Sequence, residues 1–287
     1  MTLLSLILIE HMKYLRKKTA LFTIINVLAF SPMMSQDIGI QLYSLRNHIP
    51  NDIEGIFKTI RDWDIRYLEG GDTYGLSHQQ YQELLKKYHL KMIGIEASFD
   101  NLNSDLEKII NQAKQFNVQS VVCFWIPHNG VFAIEDAKKA VNTFNSAGEK
   151  LKAHGVTLSY HPHGFEFKPF QEELLIDYLA QNAEHFKFQM DTFWFHHGGM
   201  NPVDFFEKYP HLIESIHMKD MKKGVHGDGS GSQSNEDNVV LGTGQIDIAK
   251  TYFLAKKHGV RYIIIEDESS AVLDQVPQSV AYLKSLN

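Results

Sequence analysis

Cysteine is nearly absent from this chain. Of its 287 residues only Cys123 carries a thiol, which excludes an internal disulfide framework and a zinc site built on several thiolates. An excess of basic charge is missing as well. The 28 Lys and Arg stand against 34 Asp and Glu, a formal net charge of −6, so no cationic field draws the protein onto phosphate backbones and no nucleic acid partner is expected. The "GTG" at 242–244 is too short for a phosphate cradle and lacks a following Lys-Ser or Lys-Thr. No linker divides the chain into domains.

The first residues differ from the rest. Lys13, Arg16, Lys17 and Lys18 precede an apolar core from Thr19 to Phe30 and a polar exit ending "SQ". This is the order of a secretory signal, with an apolar core short for a membrane span. Residues 1–35 are therefore expected to be a signal peptide, cleaved between Ser35 and Gln36. Export, to the periplasm, follows from that expectation, with no membrane partner after cleavage. "MTLLSLILIEH" adds nothing to the basic region, so Met12 is a candidate for the true start.

What the remaining chain has in quantity is apolar residues in alternation with amphipathic stretches. The whole sequence is 44% hydrophobic, enough for a sizeable core. Short runs at 38–44, 66–69, 91–96, 119–125, 156–161, 186–191, 213–217 and 262–266 read as strands. Helical stretches such as 51–63, 78–89, 133–154 and 248–259 lie between them, the last two followed by Gly155 and Gly259 as expected helix caps. Eight βα units over residues 36–287 predict one α/β domain, a (β/α)8 TIM barrel. The stretch 222–238, "KKGVHGDGSGSQSNEDN", is expected to be a long, mobile loop after the seventh strand.

Alternation along the strands then selects the residues that face the barrel interior. It places His161, Asp191, His217 and Glu266 inward at the ends of four successive strands, with Lys219 and Gln41 also inward. Burying four ionisable groups together is costly unless they pair or hold a cation. Mixed nitrogen and oxygen donors suit Mn, Zn, Co or Fe, and Mg where carboxylates dominate. A divalent metal site is expected, with a salt-bridge network as the competing reading. Glu69 and Glu96 end the second and third strands. Trp194 and His197, within "FWFHH", are candidate walls of a sugar-sized pocket, or simply loop packing. His163 and Glu166, in "YHPHGFEF", either line the site or belong to a solvated loop.

The segments "YHPHGFEF", "MDTFWFHHGG", "IHMKDMKKG", "LGTGQID" and "IIIEDE", in that order, resemble the sugar phosphate isomerase/epimerase family. These are xylose isomerase-like TIM barrels, which include AP endonuclease family 2 members. The resemblance runs from about Ile38 to the C-terminus. It implies that Asp191, His217 and Glu266 are metal ligands and that Lys219 is the lysine often found beside the histidine. It also exposes a departure. Ketose epimerases of this superfamily usually end the fifth strand in a glutamate that binds metal and acts as one of two opposed acid/base groups, and here His161 stands in that place. A coordinated imidazole has no free lone pair with which to replace a carboxylate base. The expected activity is therefore proton abstraction next to a carbonyl on a keto sugar or keto-glycoside, an isomerase or epimerase with Glu266 as base. His163, Glu166 and Lys219 are then candidate proton donors or substrate clamps, and Gln41, Glu69, Glu96, Trp194 and His197 candidate substrate contacts. Elimination on a 3-keto-glycoside, an AP-endonuclease-like nuclease and a non-catalytic sugar-binding barrel are the alternatives.

Overall fold

A computed structural model describes residues 36–287; the expected signal peptide, 1–35, lies outside the described residues. Eight parallel strands close into a barrel: β1 (Asp37–Gln41), β2 (Tyr67–Gly70), β3 (Lys91–Glu96), β4 (Ser120–Cys123), β5 (Thr157–Tyr160), β6 (Phe186–Asp191), β7 (Ile213–Met218) and β8 (Tyr262–Ile265). Each pairs with its neighbours in chain order, and β1 pairs with β8 to complete the ring. The helices between them are α1 (Ile53–Asp62), α2 (His78–Lys87), α3 (Phe99–Ser104), α4 (Leu106–Phe116), α5 (Ile134–Lys152), α6 (Leu175–Gln181), α7 (Thr192–His197), α8 (Pro202–Lys208), α9 (Ile248–His258) and α10 (Val272–Ser285). This is a (β/α)8 barrel. None of the described helices is long and apolar enough to cross a membrane.

The outer layer follows from helical spacing. Along α5, the buried residues Ala137, Ala140, Phe144, Ala147 and Leu151 follow one another at three- or four-residue spacing. Phe144 stacks on Tyr160 of β5 and meets Phe186 of β6, a burial that contributes on the order of 1.5–3 kcal/mol. Helix α9 ends on Gly259, whose φ of 73° closes it in the left-handed conformation. The expected cap at Gly155 is displaced. Helix α5 stops at Lys152 with Ala153 as its C-cap, and Gly155, at φ 72°, makes the following turn into β5. Strand β1 also ends before Ser44, because Gln41 turns the chain into a 3-10 helix, its Oε1 accepting from the Tyr43 N–H at 3.2 Å.

The segment 222–238 is the expected long loop after the seventh strand, tied down at its base. It folds back as a ribbon, Asp220–Met221 pairing antiparallel with Asn238–Val239, and the Lys222 N–H donates to the Asp237 carbonyl. Glu236 accepts from the Ser270 N–H and hydroxyl beyond β8, and the Gly229 N–H donates to the His197 carbonyl. Its polar composition serves hydrogen bonding to the loops around it.

At the N-terminal end of the barrel a cavity of about 720 Å³, lined by Ser120, Ser215 and Ile264 among others, reaches up to Glu69. Two register shifts set the layer above it, one bringing Glu69 opposite Gly94 and the other bringing Gln189 opposite Ser215. Such bulges re-aim side chains beside a functional site. Here they aim two polar groups at the barrel axis.

Candidate metal centre at the barrel mouth

His161 follows β5, Asp191 ends β6, His217 lies in β7 and Glu266 follows β8. Each offers a ligand atom within 4.8 Å of the others, and all four side chains are buried. Asp191 has two jobs. Its Oδ1 caps α7 by accepting from the Trp194 N–H at 2.9 Å, which leaves Oδ2 with no hydrogen-bond partner. His161 Nδ1 lies 3.0 Å from Gln189 Oε1, and its Nε2 is likewise without a partner, 3.8 Å from Asp191 Oδ2. His217 sits between carboxylates, Nε2 at 2.7 Å from Glu69 Oε2 and Nδ1 at 3.3 Å from Glu266 Oε2.

Two orphaned buried donor atoms aimed at one point are costly in a dry interior. A cation between them removes that cost. Two imidazoles and two carboxylates are a donor set that suits a divalent metal of the zinc, manganese, cobalt or iron kind. The residues present therefore fit such an ion, with His161, Asp191, His217 and Glu266 as the holders.

The charges are arranged unequally. Burial, with His217 and His163 adding to it, holds His161 well below the usual imidazole range, so it is neutral. Burial also disfavours charge on His217, but Glu69 and Glu266 override it and push the imidazole up to about 10. Burial raises Asp191 against the opposing pull of Lys219. Glu266 goes the other way. Its burial is outweighed by Lys219 and His217, which hold it well below the carboxylate range. Lys219 stays charged despite burial because Glu266, at 3.5 Å, and Glu268 surround its ammonium.

The structure sorts the other expected residues. Lys219 Nζ also stands 5.3 Å from the ring centroids of Phe193 and Trp194, so it joins the cluster to an aromatic wall. Trp194 lies 5.2 Å from the His163 ring, and His163 lies 4.9 Å from His161. Burial lowers His163 to about 4, leaving it neutral. Glu96 opens to solvent at the mouth, beside a cleft it shares with Phe124 and Trp125. Desolvation in that concave setting, then Glu69 and Glu266, pushes it up to about 7.

The other expected residues stand outside the set of four ligands. Glu166 is not brought to the cluster; it accepts from the Tyr160 hydroxyl and from the N–H groups of His163 and Gly164, the latter at 2.9 Å. Because Tyr160 faces the helix layer, the Glu166 carboxylate is drawn behind the strand and closes the turn. Glu69 and Gln41 are buried beside the ligands, with Gln41 Nε2 donating to Glu69 Oε2 at 3.0 Å. His197 turns away from the cluster, stacked on Phe193 with Nε2 3.5 Å from Asp228 of the ribbon.

The family model described as xylose isomerase-like TIM barrel matches residues 57–286. The chain belongs to this family. Among solved members of the fold, a sugar phosphate isomerase/epimerase from Parabacteroides distasonis aligns with a TM-score of 0.72 at 18% identity, over 86% of this chain and 97% of that one. The probable 3-DHS dehydratase AsbF from Bacillus anthracis aligns at 0.68 and 15% identity, over 88% and 100%. The IOLI protein, solved with a bound zinc atom, aligns at 0.67 and 13% identity, over 88% and 96%. At these identities the likeness establishes the shared barrel. No curated protein matches the chain in sequence.

Within this xylose isomerase-like barrel, some site residues escaped the sequence reading. Phe124 lies 4.9 Å from the His161 ring and 5.9 Å from His217, roofing both. The alternation that turns Ser120 inward also turns Phe124 inward, so that signal was present. Trp125, 45% exposed, extends the aromatic wall toward His163 and Phe165. Glu268, which pairs Lys219 with Arg46, had no signal in strand alternation because it lies beyond β8.

Proposed function

We propose that this protein is a metal-dependent enzyme that removes a proton next to the carbonyl of a keto sugar or keto-glycoside, as an isomerase or epimerase. The observation that carries this reading is the pair of orphaned atoms, His161 Nε2 and Asp191 Oδ2, beside an ionised Glu266 at the barrel mouth. The sugar phosphate isomerase/epimerase among the structural neighbours and the zinc atom of the IOLI protein support it. The first 35 residues, taken as an export signal, favour free sugars or glycosides over sugar phosphates.

A bound divalent cation supplies positive charge where the carbonyl oxygen gathers negative charge. Glu266 takes the proton from the carbon beside the carbonyl; the C–H electrons move toward the carbonyl, and the acid formed on Glu266 can return the proton to the same or the neighbouring carbon. Lys219, held protonated 3.5 Å from Glu266, neutralises charge on substrate oxygens and donates to them. Trp194, Phe124 and Trp125 give an apolar wall for the less polar face of a sugar ring.

One observation favours elimination as a second reading. His161 stands where a two-carboxylate epimerase would place its other base, so Glu266 has no carboxylate opposite it at the end of the fifth strand. A single base suffices when the electrons leave with a group on the next carbon, as in a 3-keto-glycoside lyase, and the probable dehydratase among the neighbours is a barrel of this shape.

Keto sugars and 3-keto-glycosides incubated in deuterated solvent with metal added back test both readings. The wild type should exchange the proton beside the carbonyl, and Glu266→Gln should lose roughly 10²-fold or more in turnover and exchange together. Exchange at the wild-type rate in the variant would remove Glu266 as the base. Product analysis separates rearrangement from loss of a leaving group.

A further inference from the structure

Glu69 is an almost wholly buried carboxylate whose two oxygens accept three hydrogen bonds. Oε1 accepts from Gln189 Nε2 at 2.8 Å, while Oε2 accepts from Gln41 Nε2 at 3.0 Å and faces His217 Nε2 at 2.7 Å. The barrel makes room for it, since a Cβ added at Gly94 would lie 3.1 Å from Glu69 Oε1. The register shift in β3 is what sets Gly94 opposite Glu69.

An ionised carboxylate can only accept, so every group that faces it must donate. That condition propagates. His217 must keep a proton on Nε2, so Nδ1 is the nitrogen whose lone pair is freed for the site when the imidazolium gives up a proton. Gln189 must turn its amide nitrogen to Glu69, where it also reaches Ser215 Oγ at 3.0 Å, and therefore turns Oε1 to His161. Facing a carbonyl oxygen, His161 must carry its proton on Nδ1, which leaves Nε2 for the site. We infer that Glu69 is a positioning residue that fixes opposite ring nitrogens of His217 and His161 toward the metal centre, reaching the second histidine through Gln189. The consequence for metal affinity rests on the metal reading above; the consequence for the proton positions does not.

Glu69→Gln keeps the shape and introduces one N–H donor face. An amide nitrogen at the Oε2 position opposes both Gln41 Nε2 and His217 Nε2, and one at the Oε1 position opposes Gln189 Nε2, so the variant reverses His217 directly or flips Gln189 and reverses His161. Gln189→Leu cuts only the second branch and serves should Glu69→Gln fail to fold. Nitrogen-15 spectra of histidine-labelled, metal-free protein read the protons, and zinc titration reads the affinity. In the wild type His161 should carry its proton on Nδ1, and zinc loading should leave the His217 proton on Nε2. In Glu69→Gln one of the two histidines should change its pattern and zinc affinity should fall 10–100-fold, the usual scale for removing a partner that orients a ligand. In Gln189→Leu the proton position should change at His161 alone. A wild-type His161 protonated on Nε2 would overturn the inference, as would a Glu69→Gln variant that keeps both the proton pattern and the zinc affinity. Wild type that takes up no zinc, yet shows the proposed His161 pattern and its dependence on Glu69, would uphold the inference and remove the metal reading instead.

Discussion

His217 holds a proton that it must release before Nδ1 can hold a cation. Glu69 and Glu266 push its imidazole up to about 10 against the effect of burial, and burial raises Asp191 as well. Both groups bind protons in the metal-free protein below their raised pKa values and cannot do so once ligated, so metal uptake should release protons. The sign follows directly: affinity rises with pH. Close to one proton should be released at pH 8, from His217, and more than one at pH 6 as Asp191 contributes, with affinity weakening by about tenfold or more per pH unit in that direction. Zinc calorimetry in buffers of different ionisation enthalpy counts these protons, and a heat that does not depend on the buffer would contradict the assignment. The inward placement of His161, Asp191, His217 and Glu266 was legible in the sequence because alternation along a strand is rigid. The place of Glu69 was half legible. Its position at a strand end could be read, but its burial under the histidines depends on the shift that sets it opposite Gly94, and a register shift leaves no mark in one strand's pattern.

At the level of elements, the eight strands were readable within a few residues because their apolar runs are short and separated by amphipathic helices. The turn after β5 was not. "HPHGFEF" places three ionisable residues within six positions, and nothing in that spacing tells that Tyr160 on the outer face captures Glu166 while His163 stays at the mouth. Glu166 is pushed up to about 7 by burial, against the Tyr160 hydroxyl and the turn N–H groups that favour its ionised form. Glu166→Ala would leave the hydroxyl and two backbone N–H groups without an acceptor, at about 1–3 kcal/mol for each buried donor left unpaired. The expected outcome is a clear fall in melting temperature, with His163 displaced from Trp194. Wild-type stability accompanied by lost turnover would make Glu166 a catalytic group after all. The loop at 222–238 is held in the same way. Its Gly, Ser and Asp residues read as a long loop by composition, and the partners that hold it, Ser270, His197 and the short strands at its base, lie elsewhere in the sequence.

The whole barrel closes through its first strand. Strand β1 pairs with β2 on one side and β8 on the other, Gln36 Nε2 donates to the Val260 carbonyl at 3.3 Å, and Arg261 Nε donates to Asp37 at 2.8 Å. Gln41, at the end of the same strand, supplies one of the donors to Glu69, so ring closure and the support of the metal centre rest on one five-residue strand. This also bears on the proposed cleavage between Ser35 and Gln36, which leaves every one of these contacts in place. A chain beginning at Gln36 should melt cooperatively and bind zinc with the affinity of the full 287-residue chain. A chain beginning at Leu42 should fail differently from a site variant: without β1, the edges of β2 and β8 lose their ladder partners, and open parallel edges lead to aggregation. Circular dichroism melts and gel filtration of the two chains distinguish these outcomes. If the chain beginning at Gln36 proves unstable, the first 35 residues contribute to the fold and are not a discarded export signal.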